Sequence, residues 1–233
     1  MAHGRPRRLV SSAAVVPDLD PRMRASLRFR AARALLRLLL GIVFRVQVEG
    51  SERLPKGGYV LACNHLNWVD PFLLIAWLPA SPRLHFLGRG SAMYNRFWKR
   101  WILAFIGGVI PVESGQVRQV SEAVGDVLRP GGAVALFPEG GVGSVEGALQ
   151  PLRSGVGHFA ANNGVPVVAV GLAGTLELWR RKRICIRVGA IVQPSGALDD
   201  DMTAIEAAML TALPSYKDPG GRRPWPWMTK LLR

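Results

Sequence analysis

In the stretch YVLACNHLNWVDP (59–71), His65 and Asp70 stand five positions apart, directly after a short apolar run. A neutral imidazole near pH 7 is suited to take the proton of a hydroxyl as that hydroxyl attacks a thioester carbonyl. The imidazolium that forms needs a carboxylate to stabilise it and to hold the productive tautomer, as in hydrolase triads. A His at a strand end with an Asp at the next helix start can supply this pair, for acyl transfer to a hydroxyl or for activating water as a thioesterase would. Asp70 before Pro71 also has the pattern of a helix N-cap with proline at the first helical position, and it can do both jobs. A second polar group follows a second apolar run. AVALF (133–137) leads into PEGGVGSVEG (138–147), so Glu139 emerges at a strand end and opens a glycine-dense loop. Backbone amides in such a loop can face an anion or an oxyanion. Taken alone the glycines read as a flexible surface loop, and without a following GK[ST] this is not a P-loop.

The elements that must position these residues alternate. FRVQVEG (44–50) and YVLAC (59–63) read as strands, and PFLLIAWL (71–78) reads as a helix. A short LHFLG (84–88) lies between it and the helical YNRFWKRWILAF (94–105), which is followed by strand-like VIPV (109–112). Residues 116–129 are helical and end at Pro130-Gly131-Gly132; AVALF is a buried strand. A short helix at 154–163, strands VPVVAVGL (165–172) and ICIRVGAIV (184–192) and a helix at about 200–212 complete the pattern. Alternation of this kind predicts an α/β fold with a mixed, mainly parallel central sheet flanked by helices. In such sheets ligands bind beyond the carboxyl ends of strands, where His65 and Glu139 fall. The expected organisation is an N-terminal tail and interface helix (1–44), a catalytic domain (45–213) and a basic Pro/Trp-rich tail (214–233).

The formal charge is +14, from 30 Lys+Arg against 16 Asp+Glu, and residues 1–49 carry ten Arg against Asp18, Asp20 and Glu49, a net of +7. Basic excess points to nucleic acid or to an anionic membrane surface. The arginines accompany aliphatic runs, and neither a helix-turn-helix signature nor a zinc-finger spacing occurs, so the membrane is expected and nucleic acid is not. ALLRLLLGIVF (34–44) is shorter than the roughly 20 apolar residues of a membrane span. Arg30, Arg33 and Arg37 fall on one helical face, as they would in a basic helix lying in the interface with leucines in the acyl region and guanidiniums on lipid phosphates. The alternative is an ordinary amphipathic helix packed on the domain. No signal peptide is read at the N-terminus. Cys63 and Cys185 read as small buried hydrophobes. His85 and His158 read as core or surface residues, and RRKR (180–183) as a solvated turn. Arg96, Lys99 and Arg100 beside Phe97, Trp98 and Trp101 form a second membrane-contact candidate.

NH-x4-D followed by FPEG, with GGVIPVES (107–114) between them and LQPLRSGVGHFAANNGVPVVAVGL (149–172) after them, resembles the glycerolipid acyltransferase family typified by 1-acyl-sn-glycerol-3-phosphate acyltransferases. The match covers roughly residues 45–192. It implies His65 as general base, Asp70 as its orienting carboxylate, and Glu139 with Phe137, Pro138 and Gly140 shaping the acceptor and reaction site. Val165–Val170 would be a structural strand beneath them. The resemblance also implies an acyl-CoA or acyl-carrier-protein donor, no metal, no other cofactor and no covalent acyl-enzyme. It implies peripheral or monotopic work on the cytoplasmic leaflet.

Ser114, Gly141 and Val142 depart from the pattern, standing where typical members carry Arg, Thr and Arg. Those arginines are thought to grip the acceptor's phosphate, a task that suits a guanidinium fork, and Arg89, Arg118 or Arg153 are the candidates to replace them. Two alternatives follow: an acceptor without a phosphate monoester (a lysophospholipid, an amino-acid lipid or a glycolipid), or a non-catalytic lipid-binding membrane protein that keeps the fold.

Overall fold

The structure, a computed structural model, describes residues 20, 23–89, 108–112, 115–217 and 225–229, with Arg89 described for its backbone only. The expected helix at 94–105, its Arg96, Lys99 and Arg100, and Ser114 lie outside the described residues.

Seven strands form one sheet in the order β1-β7-β6-β2-β5-β3-β4. They are β1 (Arg45–Glu49), β2 (Tyr59–Cys63), β3 (Leu84–Arg89), β4 (Val109–Val112), β5 (Ala133–Leu136), β6 (Val167–Ala173) and β7 (Arg183–Val192). Every neighbouring pair is parallel except β6 and β7. Burial on both faces requires near-continuous apolar strands. β2, β5 and β6 meet that requirement, with every residue buried.

Helices cover both faces. On one lie α1 (Leu27–Val43) and α2 (Asp70–Trp77), packed with the strand side chains of Leu61 and Cys63. On the other lie α3 (Val117–Leu128), α4 (Gly155–Asn163) and α5 (Leu198–Ala212), packed with Val60 and Ala62. The period-two alternation of β2 therefore feeds two separate cores. A short α6 (Pro226–Thr229) docks near α2, where its Met228 carbonyl accepts a 2.7 Å hydrogen bond from the Trp68 indole.

Helix α1 turns Phe29, Leu36 and Leu40 onto the domain, yet leaves Leu27, Leu35, Leu38 and Ile42 exposed, Leu27 at 85% and Leu38 at 61%. At about 100° per residue these four share one side of the helix. The helix thus packs on the domain and also presents an apolar stripe. The expectation that all three arginines reach outward is corrected. Arg33 donates to the carbonyls of Ile75 (2.9 Å) and Leu78 (2.7 Å), the orphan acceptors at the C-terminal end of α2, and Arg37 lies over the Trp77 ring. An arginine beside an open helix end satisfies carbonyls that no intrahelical amide reaches. The solvated-turn reading of RRKR also fails for one member: Lys182 is only 1% exposed, its ammonium 3.6 Å from the Trp179 ring centroid. Cys185, expected to be buried, is half-exposed on β7 and faces Glu49.

Candidate active site

The site is built by strand register. In the β2–β5 ladder, Ala62 pairs with Leu136. His65 lies three residues past the first and Glu139 three past the second, so parallel strands deliver both to the same height at the carboxyl edge. Contact follows. Glu139 Oε1 accepts the His65 backbone N–H at 2.9 Å, and its Oε2 accepts the Gln150 N–H at 3.0 Å. Glu139 is buried, and its two oxygens join the histidine turn to the segment that follows the glycine loop. The Gly143 N–H donates to the His65 carbonyl at 2.6 Å, closing the loop over the same turn.

His65 and Asp70 meet directly, with Nδ1 2.8 Å from Asp70 Oδ2. That oxygen also accepts the N–H groups of Leu66 and Asn67, each at 2.7 Å. Asp70 is the first residue of α2, and its carboxylate turns back to amides that precede it. This corrects the N-cap reading: the cap position belongs to Val69, and no side chain caps the helix. Three donors on one oxygen of a fully buried carboxylate make a rigid seat. The imidazole has an 18% exposed side chain and stacks on Phe137 with ring centroids 4.2 Å apart. With Nδ1 held by Asp70, the remaining Nε2 is the atom that can exchange a proton with a substrate.

Beneath this turn, the buried Asn64 fastens β2 to β6 by donating to the Leu172 carbonyl (3.0 Å) and accepting the Leu172 N–H (2.7 Å). Cys63 offers no competing nucleophile. Burial first, then the charges of Asp70 and Glu139, push its thiol well above the usual range.

Gly140 holds φ at +71°, and a Cβ there would fall on the Arg153 guanidinium. The exposed Arg153 side chain therefore lies across the loop beside Glu139, and no acidic residue pairs with it among the described residues. The Arg153 N–H donates to the Pro138 carbonyl at 2.8 Å. Arg118, by contrast, is exposed on α3 and paired with Glu122 at 2.8 Å. Arg89 ends β3, and its side chain is not described. Phe137, Pro138, Glu139 and Gly140 thus gather with His65, Asp70 and Arg153, whereas Arg118 is engaged elsewhere.

Sequence reasoning passed over Glu146. Its Oε1 accepts the Gly174 N–H at 2.7 Å and its Oε2 the Leu176 N–H at 3.4 Å, tying the far end of the glycine loop to the exit of β6. Burial raises its pKa, the bonds from Gly174 and Leu176 and the charge of Lys182 oppose that rise, and Asp70 adds to it. The acid in SVEG was visible, but the strand exit it meets lies 28 residues downstream.

Residues 45–173 match the family described as Acyltransferase, more than half of the chain. The chain belongs to the acyltransferase family. Named relatives agree with the glycerolipid branch of it. A 1-acyl-sn-glycerol-3-phosphate acyltransferase of Cocos nucifera is 27% identical over 147 residues, 63% of this chain and 47% of that protein. One of Bacillus subtilis is 26% identical over 163 residues, 66% of this chain and 77% of that one. The chain spans about half the length of several curated relatives that it matches. The crystal structure of the 1-acyl-sn-glycerophosphate (LPA) acyltransferase PlsC from Thermotoga maritima superposes with a TM-score of 0.66 at 17% identity, covering 79% of this chain and 78% of that one. The acyltransferase-family chain therefore shares the fold of that enzyme.

Proposed function

We propose that this chain transfers a fatty acyl group from acyl-CoA or acyl carrier protein to the free hydroxyl of a lysophosphatidic acid-type lipid. The observation that carries the reading is the His65–Asp70 pair at 2.8 Å, held at the carboxyl edge of the sheet by Glu139. His65 Nε2 takes the proton of the acceptor hydroxyl as its oxygen attacks the thioester carbonyl. Asp70 stabilises the imidazolium while the tetrahedral intermediate stands. The C–S bond then breaks, and the imidazolium returns its proton to the departing thiolate. The chain's own groups carry every proton, and no covalent acyl-enzyme is needed. Arg153 is the cation best placed for an acceptor phosphate, since it lies beside Glu139 without an acidic partner among the described residues.

The proposed reaction takes place at a membrane, on its cytoplasmic leaflet, with the chain held peripherally. Among the described residues no helix is long and apolar enough to cross a bilayer. The exposed leucines of α1 suit a helix lying in the interface instead.

One observation favours a second reading, an acceptor without a phosphate monoester. Gly141 faces open space, with no atom within 4 Å of where a Cβ would sit, and Val142 is exposed. The two positions where the family pattern has Thr and Arg thus offer no side-chain grip on a phosphate.

The deciding assay is thiol release from palmitoyl-CoA with lysophosphatidic acid and a panel of other lyso-lipids, each offered separately to wild type, His65→Ala and Arg153→Ala. Release that requires lysophosphatidic acid, vanishes in His65→Ala and shows a raised acceptor KM in Arg153→Ala supports the first reading. Release with another acceptor only moves the assignment to the second. Transfer that survives His65→Ala at the wild-type rate removes the mechanism.

A further inference from the structure

At the amino edge of the sheet, remote from His65, a cavity of about 510 Å³ opens beside the start of α1. Among the described residues three cations line it, Arg24, Arg30 and Lys56, and no acidic residue does. Among the described residues none of the three has an acidic partner. Arg30 donates its Nε to the Ala25 carbonyl at 3.3 Å, which directs the guanidinium without neutralising it. Ser81 lines the same cavity; its oxygen already accepts the Ala25 N–H at 3.2 Å, so its own proton is the part it can offer to an anion. Unpaired guanidiniums and an ammonium around one concavity form a site for phosphate oxygens.

We infer that this cavity seats the phosphate of an anionic lipid headgroup, an inference that rests on the reading of α1 as a membrane-surface helix. Position argues for lipid over a free anion. Leu27, almost wholly exposed, stands between Arg24 and Arg30 and begins the apolar stripe that continues through Leu35, Leu38 and Ile42. A bilayer that receives those leucines brings its phosphates level with the cavity mouth. The seat is separate from the reaction site. Tyr59, which lines the cavity, opens β2, and His65 lies beyond the other end of that strand, roughly 20 Å away at about 3.3 Å per residue. It would hold the sheet at a set height on the membrane while the opposite edge works on the acceptor.

Vesicle flotation at low salt tests this, using phosphatidylcholine vesicles with and without phosphatidylglycerol. The variant is Arg24→Gln/Lys56→Gln. The control, Arg118→Gln/Arg129→Gln, makes the same charge change at α3 on the opposite face of the sheet. The cavity variant should lose about 30-fold in affinity for the anionic vesicles, roughly fivefold per charge, and keep its binding to pure phosphatidylcholine. The control should lose less than about threefold, since charges turned away from the bilayer are screened within a Debye length. Equal losses in the two variants would reduce the effect to net charge and overturn the seat. Lys56→Glu, a change at one exposed side chain, repeats the test if the double variant is poorly folded. Inorganic phosphate, titrated while the Ser81 and Lys56 amide resonances are followed, separates the sources. If wild type binds no vesicle of either kind, the membrane reading fails and the lipid seat fails with it; saturable phosphate shifts lost in the variant would then make the cavity a soluble-anion site. Binding to phosphatidylcholine vesicles with no gain from phosphatidylglycerol would keep the membrane reading and overturn the seat alone.

Discussion

Replacing Asp70 separates two jobs that one oxygen performs. Asp70 Oδ2 takes hydrogen bonds from His65 Nδ1 and from the N–H groups of Leu66 and Asn67, at 2.7–2.8 Å, and its side chain is fully buried. In Asp70→Asn the amide oxygen can still accept from all three donors, so the turn keeps its shape and the negative charge goes. The expected stability loss is about 1–2 kcal/mol, the difference between charge-assisted and neutral bonds. Activity should fall by about 10³–10⁴, because the imidazolium loses its counter-charge. In Asp70→Ala two buried amides lose their acceptor at about 1–3 kcal/mol each. A loss of about 2–6 kcal/mol is a large part of the 5–15 kcal/mol that holds an ordinary domain. His65→Ala removes a side chain at the edge of the site and should cost only about 1–2 kcal/mol while abolishing turnover. Urea unfolding gives the stabilities, and thiol release from palmitoyl-CoA gives the rates. An Asp70→Asn protein with more than about a tenth of wild-type turnover would refute the catalytic argument. An Asp70→Ala protein as stable as His65→Ala would refute the structural one.

Three further predictions follow from single contacts. Gly140→Ala puts a Cβ onto the Arg153 guanidinium at a left-handed residue; it should cost about 1–2 kcal/mol and raise the acceptor KM more than it lowers kcat, and an unchanged KM would separate Arg153 from the acceptor. Lys182→Met removes a buried cation over Trp179 whose charge acts on Glu146; urea unfolding should show a loss of about 3 kcal/mol against about 0.5 or less for the exposed Arg181→Met, and similar values would show that the buried ammonium adds nothing to stability. Burial, then the charge of Arg83, holds His85 below its usual pKa. As pH falls through about 6.5 the unfolded chain takes up this proton before the folded one, so stability is kept above that pH and lost below it. His85→Gln should lower the unfolding midpoint less than wild type does between pH 7.5 and 5, and equal slopes would show that His85 contributes none of the acid sensitivity.

The exposed stripe of α1 bears on how the reaction reaches its substrate. The helix runs from the amino edge of the sheet, where Ser81 holds Ala25, to the carboxyl edge, where the Arg181 N–H reaches the Val43 carbonyl. Seventeen residues at 1.5 Å each span about 26 Å. On the proposed function, a lipid surface against that stripe would lie alongside the domain and reach its carboxyl edge, the edge on which His65 stands.

Strand runs, the His-x4-Asp pair and the FPEG segment were legible from residue order because each is a local pattern. A five-residue apolar run bounded by turn residues, such as YVLAC after PKGG, is too short for a buried helix and suits a buried strand, and β2 covers the same five residues, Tyr59–Cys63. Helix ends were less legible. The interface helix was placed only within 1–44, and its start was set by contact: α1 begins at Leu27, where the Ser26 side chain accepts the Phe29 N–H and supplies the cap. Asp70 looked like a cap and is not one, because the amides of Leu66 and Asn67 and the imidazole outcompete the helix end for its carboxylate.

Sequence alone determined which residue types stand at the strand ends, and hence the family and the class of chemistry open to it. Tertiary structure alone decided who meets whom. Glu139 reaches the His65 amide because two parallel strands share a register 74 residues apart. Lys182 is buried though it sits in RRKR, and Glu146 closes the loop onto Gly174. Of the three arginines offered for the acceptor, Arg153 lies beside the site and Arg118 is paired with Glu122. Charge and hydropathy are properties of single residues, but contacts between distant segments depend on strand order and register, which residue patterns do not specify.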